Sequence, residues 1–144
     1  MAPTTPKQEA YLKVKDVIPE RMRTILNCIR EIQPCTYKDV VLELNSASNK
    51  VSNRMSELVR VGMIQISGTI TKNGTKHTQY RTCTEEEAKE KQKELYREYR
   101  TEKDDLTNDL KGLVFGSEKT KNLIRGRISY CYDKLKLLNK YRVS

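Results

Sequence analysis

Between residues 48 and 61 the chain gathers short hydrogen-bonding side chains and fixed cations: Ser48, Asn49, Lys50, Ser52, Asn53, Arg54 and Ser56. Asparagine and arginine can pair two-pronged with the edges of adenine and guanine, while serine and lysine reach phosphate oxygens. The chemistry this suits is recognition of a duplex through contact. A second polar, basic run, Lys72, Asn73, Gly74, Thr75, Lys76 and His77, with Arg81 close behind, suits a phosphate strand or a minor groove. For catalysis the residues offer no comparable set. There is no phosphate-binding glycine loop, no H-E-x-x-H and no G-x-S-x-G. The single histidine, His77, has no cysteine or carboxylate at ligand or relay spacing, and the tyrosines lack the His and Arg cluster that a tyrosine nucleophile needs. No catalytic residue and no enzymatic activity is expected.

The elements that must hold these residues can be read around them. Val51, Met55 and Leu58 fall at i, i+4 and i+7, so one stripe of a helix over residues 48–61 turns inward and the polar set stays outside. Gly62 is placed to end it as a C′ residue. Before it, Thr36-Tyr37-Lys38-Asp39 has capping-box spacing and Val40, Val41 and Leu44 keep a helical period; Asn45-Ser46-Ala47-Ser48 breaks the two helices apart. After it, Met63 to Lys72 alternates imperfectly through Ile64, Ile66 and Ile70. Asn73-Gly74 supplies a tight turn, and Lys76 to Cys83 returns as a second strand. Upstream, Pro19 suits the first position of another helix, whose stripe is Met22, Ile25, Leu26, Ile29 and Ile32 until Gln33-Pro34 stops it. Arg21, Arg23 and Arg30 lie off that stripe and are expected in solvent.

The run from Lys50 through Val51-Ser52-Asn53-Arg54 to Leu58, Gly62, Met63 and Ile64 resembles the recognition helix of winged helix-turn-helix transcription regulators, which often reads Val-Ser, polar residues, then Leu-x-x-x-Gly-Leu-Ile. Gln79-Tyr80-Arg81-Thr82-Cys83-Thr84-Glu85-Glu86 is similar to the end of the wing in the PadR-like and MarR-like branches. Together the likeness spans roughly residues 20 to 87, at the level of the superfamily. Glu87 stands where those branches usually have glycine, and the Asp-x-Arg of a MarR-type wing tip is absent. The resemblance implies a mainly α fold with a small β-hairpin: a winged helix-turn-helix core, then two C-terminal helices. It also implies double-stranded DNA as partner, with the recognition helix in the major groove and the wing on backbone or minor groove.

Composition agrees. The chain has 144 residues and a formal net charge of +9, which favours an anionic partner. From Leu44 to Thr84 six residues are basic and one, Glu57, is acidic, so the surplus lies where the recognition residues are. Hydrophobic residues are 36% and tryptophan is absent, which bounds the core to a small one. No apolar run approaches a membrane span and the first residues lack the apolar stretch of a secretory signal, so a cytoplasmic, DNA-associated protein without membrane contact is expected. Cys28, Cys35, Cys83 and Cys131 form no C-x-x-C pair. They read as reduced thiols, with Cys28 and Cys131 as small core residues on helices, and neither a metal nor a cofactor is expected.

Three segments follow: a flexible N-terminal arm over 1–17, the DNA-binding domain over 18–84, and a helical segment over 85–144. In the last, Thr84 to Glu87 is a second capping box. Ala88, Gln92, Leu95, Tyr99, Glu102, Leu106 and Leu113 make a four-three pattern that Gln92 and Glu102 interrupt. Gly112 and Gly116 bracket an apolar plug, Leu113-Val114-Phe115, and Ser117 can cap the final helix, whose seam is Ile124, Ile128, Cys131, Leu135 and Leu138. Residues 84–116 carry seven basic and ten acidic groups, residues 117–144 eight and two, so the two helices attract one another. Leu95, Tyr99, Leu106, Ile124, Ile128, Cys131, Leu135 and Leu138 are the expected dimerisation set, while the basic last helix, Lys140 included, is an alternative supplement to DNA binding. The expectation is a homodimeric, sequence-specific regulator reading a near-palindrome with half-sites about one helical turn apart. A protein-interaction or scaffold module with a protein partner, and a non-specific architectural or replication-associated binder, stand as alternatives.

Overall fold

The computed structural model describes residues 9–113 and 115–143. In chain order these form α1 (Tyr11–Val14), α2 (Glu20–Ile32), α3 (Tyr37–Leu44), α4 (Ser48–Arg60), β1 (Ile64–Lys72), β2 (Thr75–Thr82), α5 (Glu85–Gly112) and α6 (Glu118–Lys140). The class read from the sequence, mainly α with one small β-hairpin, holds.

Local chemistry sets the boundaries. α2 starts after Pro19, which caps it instead of occupying its first turn, and buries Met22, Ile25, Leu26, Cys28 and Ile29. α3 opens on the expected capping box: the Asp39 N–H donates to Thr36 Oγ1 at 3.2 Å and the Thr36 N–H to Asp39 Oδ2 at 2.9 Å. It closes at Asn45, which takes a left-handed φ of 48°. α4 buries Val51, Met55 and Leu58 and ends in a Schellman arrangement, the Met63 N–H donating to Leu58 O at 2.9 Å and the Gly62 N–H to Val59 O at 3.2 Å. Gly62 has φ +80°, the left-handed conformation that ends α4, and α5 passes beside it, Ala88 O lying 3.4 Å from where a Cβ would stand.

β1 and β2 pair antiparallel with Lys72 opposite Thr75, and Asn73 and Gly74 make the two-residue turn with φ of 50° and 78°. A bulge between Ile66 and Gly68 shifts the register and carries Ile70 to the face opposite Ile64 and Ile66, of which Ile64 is buried and Ile66 exposed. Backbone bonds between Cys35 and Tyr80, 3.1 and 2.7 Å, fasten the hairpin to the chain before α3. Gln33 Oε1 accepts from both the N–H and the hydroxyl of Thr82, at 2.8 and 2.9 Å.

Within the arm expected over 1–17, the residues from Glu9 onward include the short helix α1 and pack on the core. Ala10, Tyr11, Val14 and Ile18 are an apolar stripe, and the core covers them. Ala10 N–H donates to Cys83 O at 3.0 Å, and Arg30 pairs with Glu9 and lies over the Tyr11 ring, so Arg30 has work beyond solvation. Residues 1–8 lie outside the described residues. The core itself runs through α1 to α4, then Met63, Ile64, Cys83 and Ala88, and takes in Leu138, Tyr141 and Val143 from the far end of the chain. The core thus draws residues from all three of the expected segments.

α5 and α6 form an antiparallel helical hairpin. Both apparent faults in the α5 seam are used. Gln92, buried, donates from Nε2 to Val61 O at 2.9 Å and to Tyr141 O at 2.6 Å, and its Oε1 accepts from the Val143 N–H at 3.0 Å. Glu102 accepts from Arg127 Nε at 2.5 Å and Nη2 at 3.2 Å. Between them Tyr99 meets Tyr130 edge-on, centroids 6.3 Å apart. The expected apolar plug is not formed by Phe115, which is 99% exposed at the turn, and Val114 lies outside the described residues. Of the expected dimerisation set, Cys131, Leu135 and Leu138 are buried within one chain, while Leu95, Tyr99, Leu106, Ile124 and Ile128 are half-buried there. The two helices satisfy much of their seam on each other.

Candidate nucleic-acid interface

With Val51, Met55 and Leu58 turned inward, helical geometry puts Asn49, Asn53, Ser56 and Arg60 on the opposite face, at i, i+4, i+7 and i+11, and all four are exposed. Ser48 and Lys50 are also exposed; Ser52 and Arg54 are half-buried on opposite flanks of the helix. The Asn49 side chain accepts from the Lys50 N–H at 2.9 Å, which keeps its amide near the start of the helix with the NH2 unoccupied. The expected residues of this helix thus do not form one set. Asn49 and Asn53 lead the outward stripe, and Arg60, which the sequence reading left unassigned, completes it. Its spacing from Asn49 was the signal.

The hairpin tip presents Lys72, Asn73 and Lys76 to solvent, with His77 half-buried opposite Ile70. Lys72 Nζ lies 3.5 Å from Asp39 Oδ1, which sets the end of the hairpin beside the first turn of α3. The Thr36 backbone N–H and then the Lys72 charge hold the Asp39 carboxyl below its usual range.

Arg81 belongs elsewhere. Its Nη1 donates to Glu87 Oε1 at 3.0 Å and its Nη2 to Glu87 Oε2 at 2.7 Å, a two-pronged pair, and Nη1 also reaches Thr82 O at 3.0 Å. Glu87 is the third residue of the α5 capping box, accepting from the Thr84 N–H at 2.9 Å, and Gln65 donates to it as well. These donors, Arg81 foremost, hold the Glu87 carboxyl well below the usual carboxylate range. The Arg81 guanidinium, expected from the sequence to contact DNA, ties the base of the hairpin to the start of α5. Glycine at position 87 could supply none of this.

On one flank of α4 the structure brings in residues far apart in the chain. Lys50, Asn53, Arg54 and Glu57 border a cleft of about 430 Å³ whose other walls are Arg21 and Met22 of α2 and Leu137, Lys140 and Tyr141 at the end of α6. Tyr141 is buried and its hydroxyl is pushed up to about 12, by burial first and then by the Glu57 charge. All four cysteine thiols are buried, and burial raises Cys35 and Cys83 to about 12, so they pack as neutral side chains. Among the described residues no group of three or more His, Cys, Asp or Glu side chains is placed to hold a metal ion, and no helix is long and apolar enough to cross a membrane.

No protein-family profile matches this chain, and no curated protein matches it. Among solved structures it is similar to one titled "Crystal Structure of a transcriptional regulator", with 14% identity, 94% of this chain and 91% of that chain covered, and a TM-score of 0.46. A likeness that distant carries no inference about binding. The functional reading has to come from the residues.

Proposed function

We propose that this protein is a winged-helix reader of double-stranded DNA, a sequence-specific transcriptional regulator that works as a homodimer. The observation that carries the proposal is the outward stripe of α4, where Asn49, Asn53, Ser56 and Arg60 stand exposed on a helix whose inner face is locked in the core. Asn49 and Asn53 contact base edges, Arg60 and Lys50 contact base edges or phosphates, and Lys72, Asn73 and Lys76 at the hairpin tip follow the backbone or the minor groove. Dimerisation uses the far half of the helical hairpin, where Leu106, Ile124 and Ile128 are half-buried and Leu123 and Phe115 exposed.

The test is fluorescence anisotropy with a random-sequence duplex pool, followed by selection and sequencing of the bound fraction, for the native chain and for Asn49→Ala/Asn53→Ala. Selection should converge on a motif in the native chain, and the variant should lose that motif while keeping salt-dependent binding to the pool, since each lost base contact costs about 1–3 kcal/mol of discrimination. Binding without convergence would make the protein a non-specific architectural binder. No binding to any duplex would leave the helix as a surface for a protein partner.

A further inference from the structure

Four cations converge on the cleft beside α4, from three elements: Arg21 of α2, Lys50 and Arg54 of α4 and Lys140 of α6. Among the described residues none of the four has a carboxylate within 4 Å in an ion pair. The cleft does contain one acid, Glu57, and the Glu57 and Arg21 charges both act on Tyr141, which puts that acid beside the tyrosine. A surplus of positive charge around one concave site repels itself unless an anion enters.

The position of the cleft says which anion. Lys50 and Asn53 line it, and Asn53 also belongs to the outward stripe. The major groove is about 12 Å wide, so a duplex that takes the outward stripe of α4 into that groove brings a bordering phosphate strand over the helix flank. On this flank that strand meets the cleft.

We propose that the cleft seats a backbone phosphate of the bound duplex, held by Arg21, Lys50, Arg54 and Lys140. The site rests on the DNA-reading proposal and extends it: the last turn of α6, some eighty residues beyond the reading helix, becomes part of the DNA surface. Arginine forks and lysine ammonium groups are the phosphate partners such a site calls for.

The experiment compares the native chain, Arg21→Ala/Lys140→Ala, and a charge-matched control, Lys93→Ala/Arg97→Ala, exposed on α5 outside both the cleft and the proposed dimer contact. Each is titrated with the random duplex pool across a salt series, with circular dichroism to confirm folding. Both altered residues of the cleft pair are exposed, so their loss leaves the core intact. The cleft pair should flatten the log-log salt slope by about 0.9, the value for one lost phosphate contact, and weaken all sequences alike. The control should keep the native slope. A cleft pair with native slope overturns the phosphate site while the DNA reading stands; so does a control that flattens equally, because the effect is then net charge. A native chain that binds no duplex at low salt overturns the DNA reading and this site with it. Inorganic pyrophosphate is the last arm: if the native chain binds it tightly, the cleft pair loses it, and the duplex slope is unchanged, the cleft serves a free phosphorylated molecule and the proposal fails.

Discussion

Replacing Gln92 by leucine should detach the end of the chain from the core. The side chain serves three backbone groups at once, Val61 O, Tyr141 O and the Val143 N–H, at 2.9, 2.6 and 3.0 Å, and all three residues are buried. Leucine conserves much of the volume but leaves two acceptors and one donor without partners. At about 1 kcal/mol for each net bond the loss is about 3 kcal/mol. It cannot reach the full cost of three stranded polar groups, because the segment from Tyr141 can swing out and hydrate them, giving up its own burial instead. For a chain of this size each kcal/mol lowers the melting temperature by roughly 2–4 °C, so a fall of about 6–12 °C is expected in a thermal melt followed by circular dichroism. Hydrogen exchange separates the mechanism from general destabilisation: the Val143 amide should exchange far faster in the variant, while the Leu58 amide in α4 slows or quickens only with global stability. Lys93→Ala, one residue away and exposed, is the control. A fall under about 2 °C with Val143 still protected would refute the latch.

Two further outcomes follow from local geometry. Gly62→Ala should cost about 1–2 kcal/mol, read as a lower urea midpoint, because its φ of +80° disfavours any Cβ even though the nearest neighbours, at 3.4 Å, leave room for one. Glu87 gives a pH signature: its folded carboxyl titrates below the unfolded value of about 4.3, so its contribution is fully present above that pH and is lost as pH falls through the folded value. With its side chain 35% exposed the pair with Arg81 contributes on the order of 1 kcal/mol, and Glu87→Gln should flatten the acid limb of a stability-versus-pH curve by that amount; equal acid limbs would show that the pair does nothing for folding.

Much of the fold was legible because its signals are short-range. The capping boxes at Thr36 and Thr84, the helix stop at Gly62 and the turn at Asn73-Gly74 are each set by residues a few positions apart, and each stands where the sequence puts it. What was illegible is long-range. Gln92 and Glu102 read as defects because their partners, Val143 and Arg127, lie fifty-one and twenty-five residues away. That Glu87 meets Arg81 two-pronged across the β2–α5 junction, only six residues on, was hidden because period and capping signals do not say which way a side chain turns where a strand gives way to a helix. In the candidate interface the outward stripe could be read from period alone, up to Arg60, whereas Lys140 was legible only as one cation of a basic helix and Arg21 only as a solvent-facing residue. What brings them to one cleft is the packing of α2 on α4 and the return of α6 along α5, which periodicity does not encode.

The helical hairpin is anchored at Gln92 and free at its turn. From Gln92 to Gly112 a straight helix runs roughly 30 Å, so a tilt of about 10° at the anchor sweeps the turn through roughly 5 Å. The geometry is that of a lever with its short arm at α4 and its long arm ending near Phe115. Under the dimeric DNA-reading proposal, a second subunit gripping that end would resist adjustment of α4 with the same mechanical advantage, and tolerance for unequal half-site spacing would be governed by the bending stiffness of two paired helices.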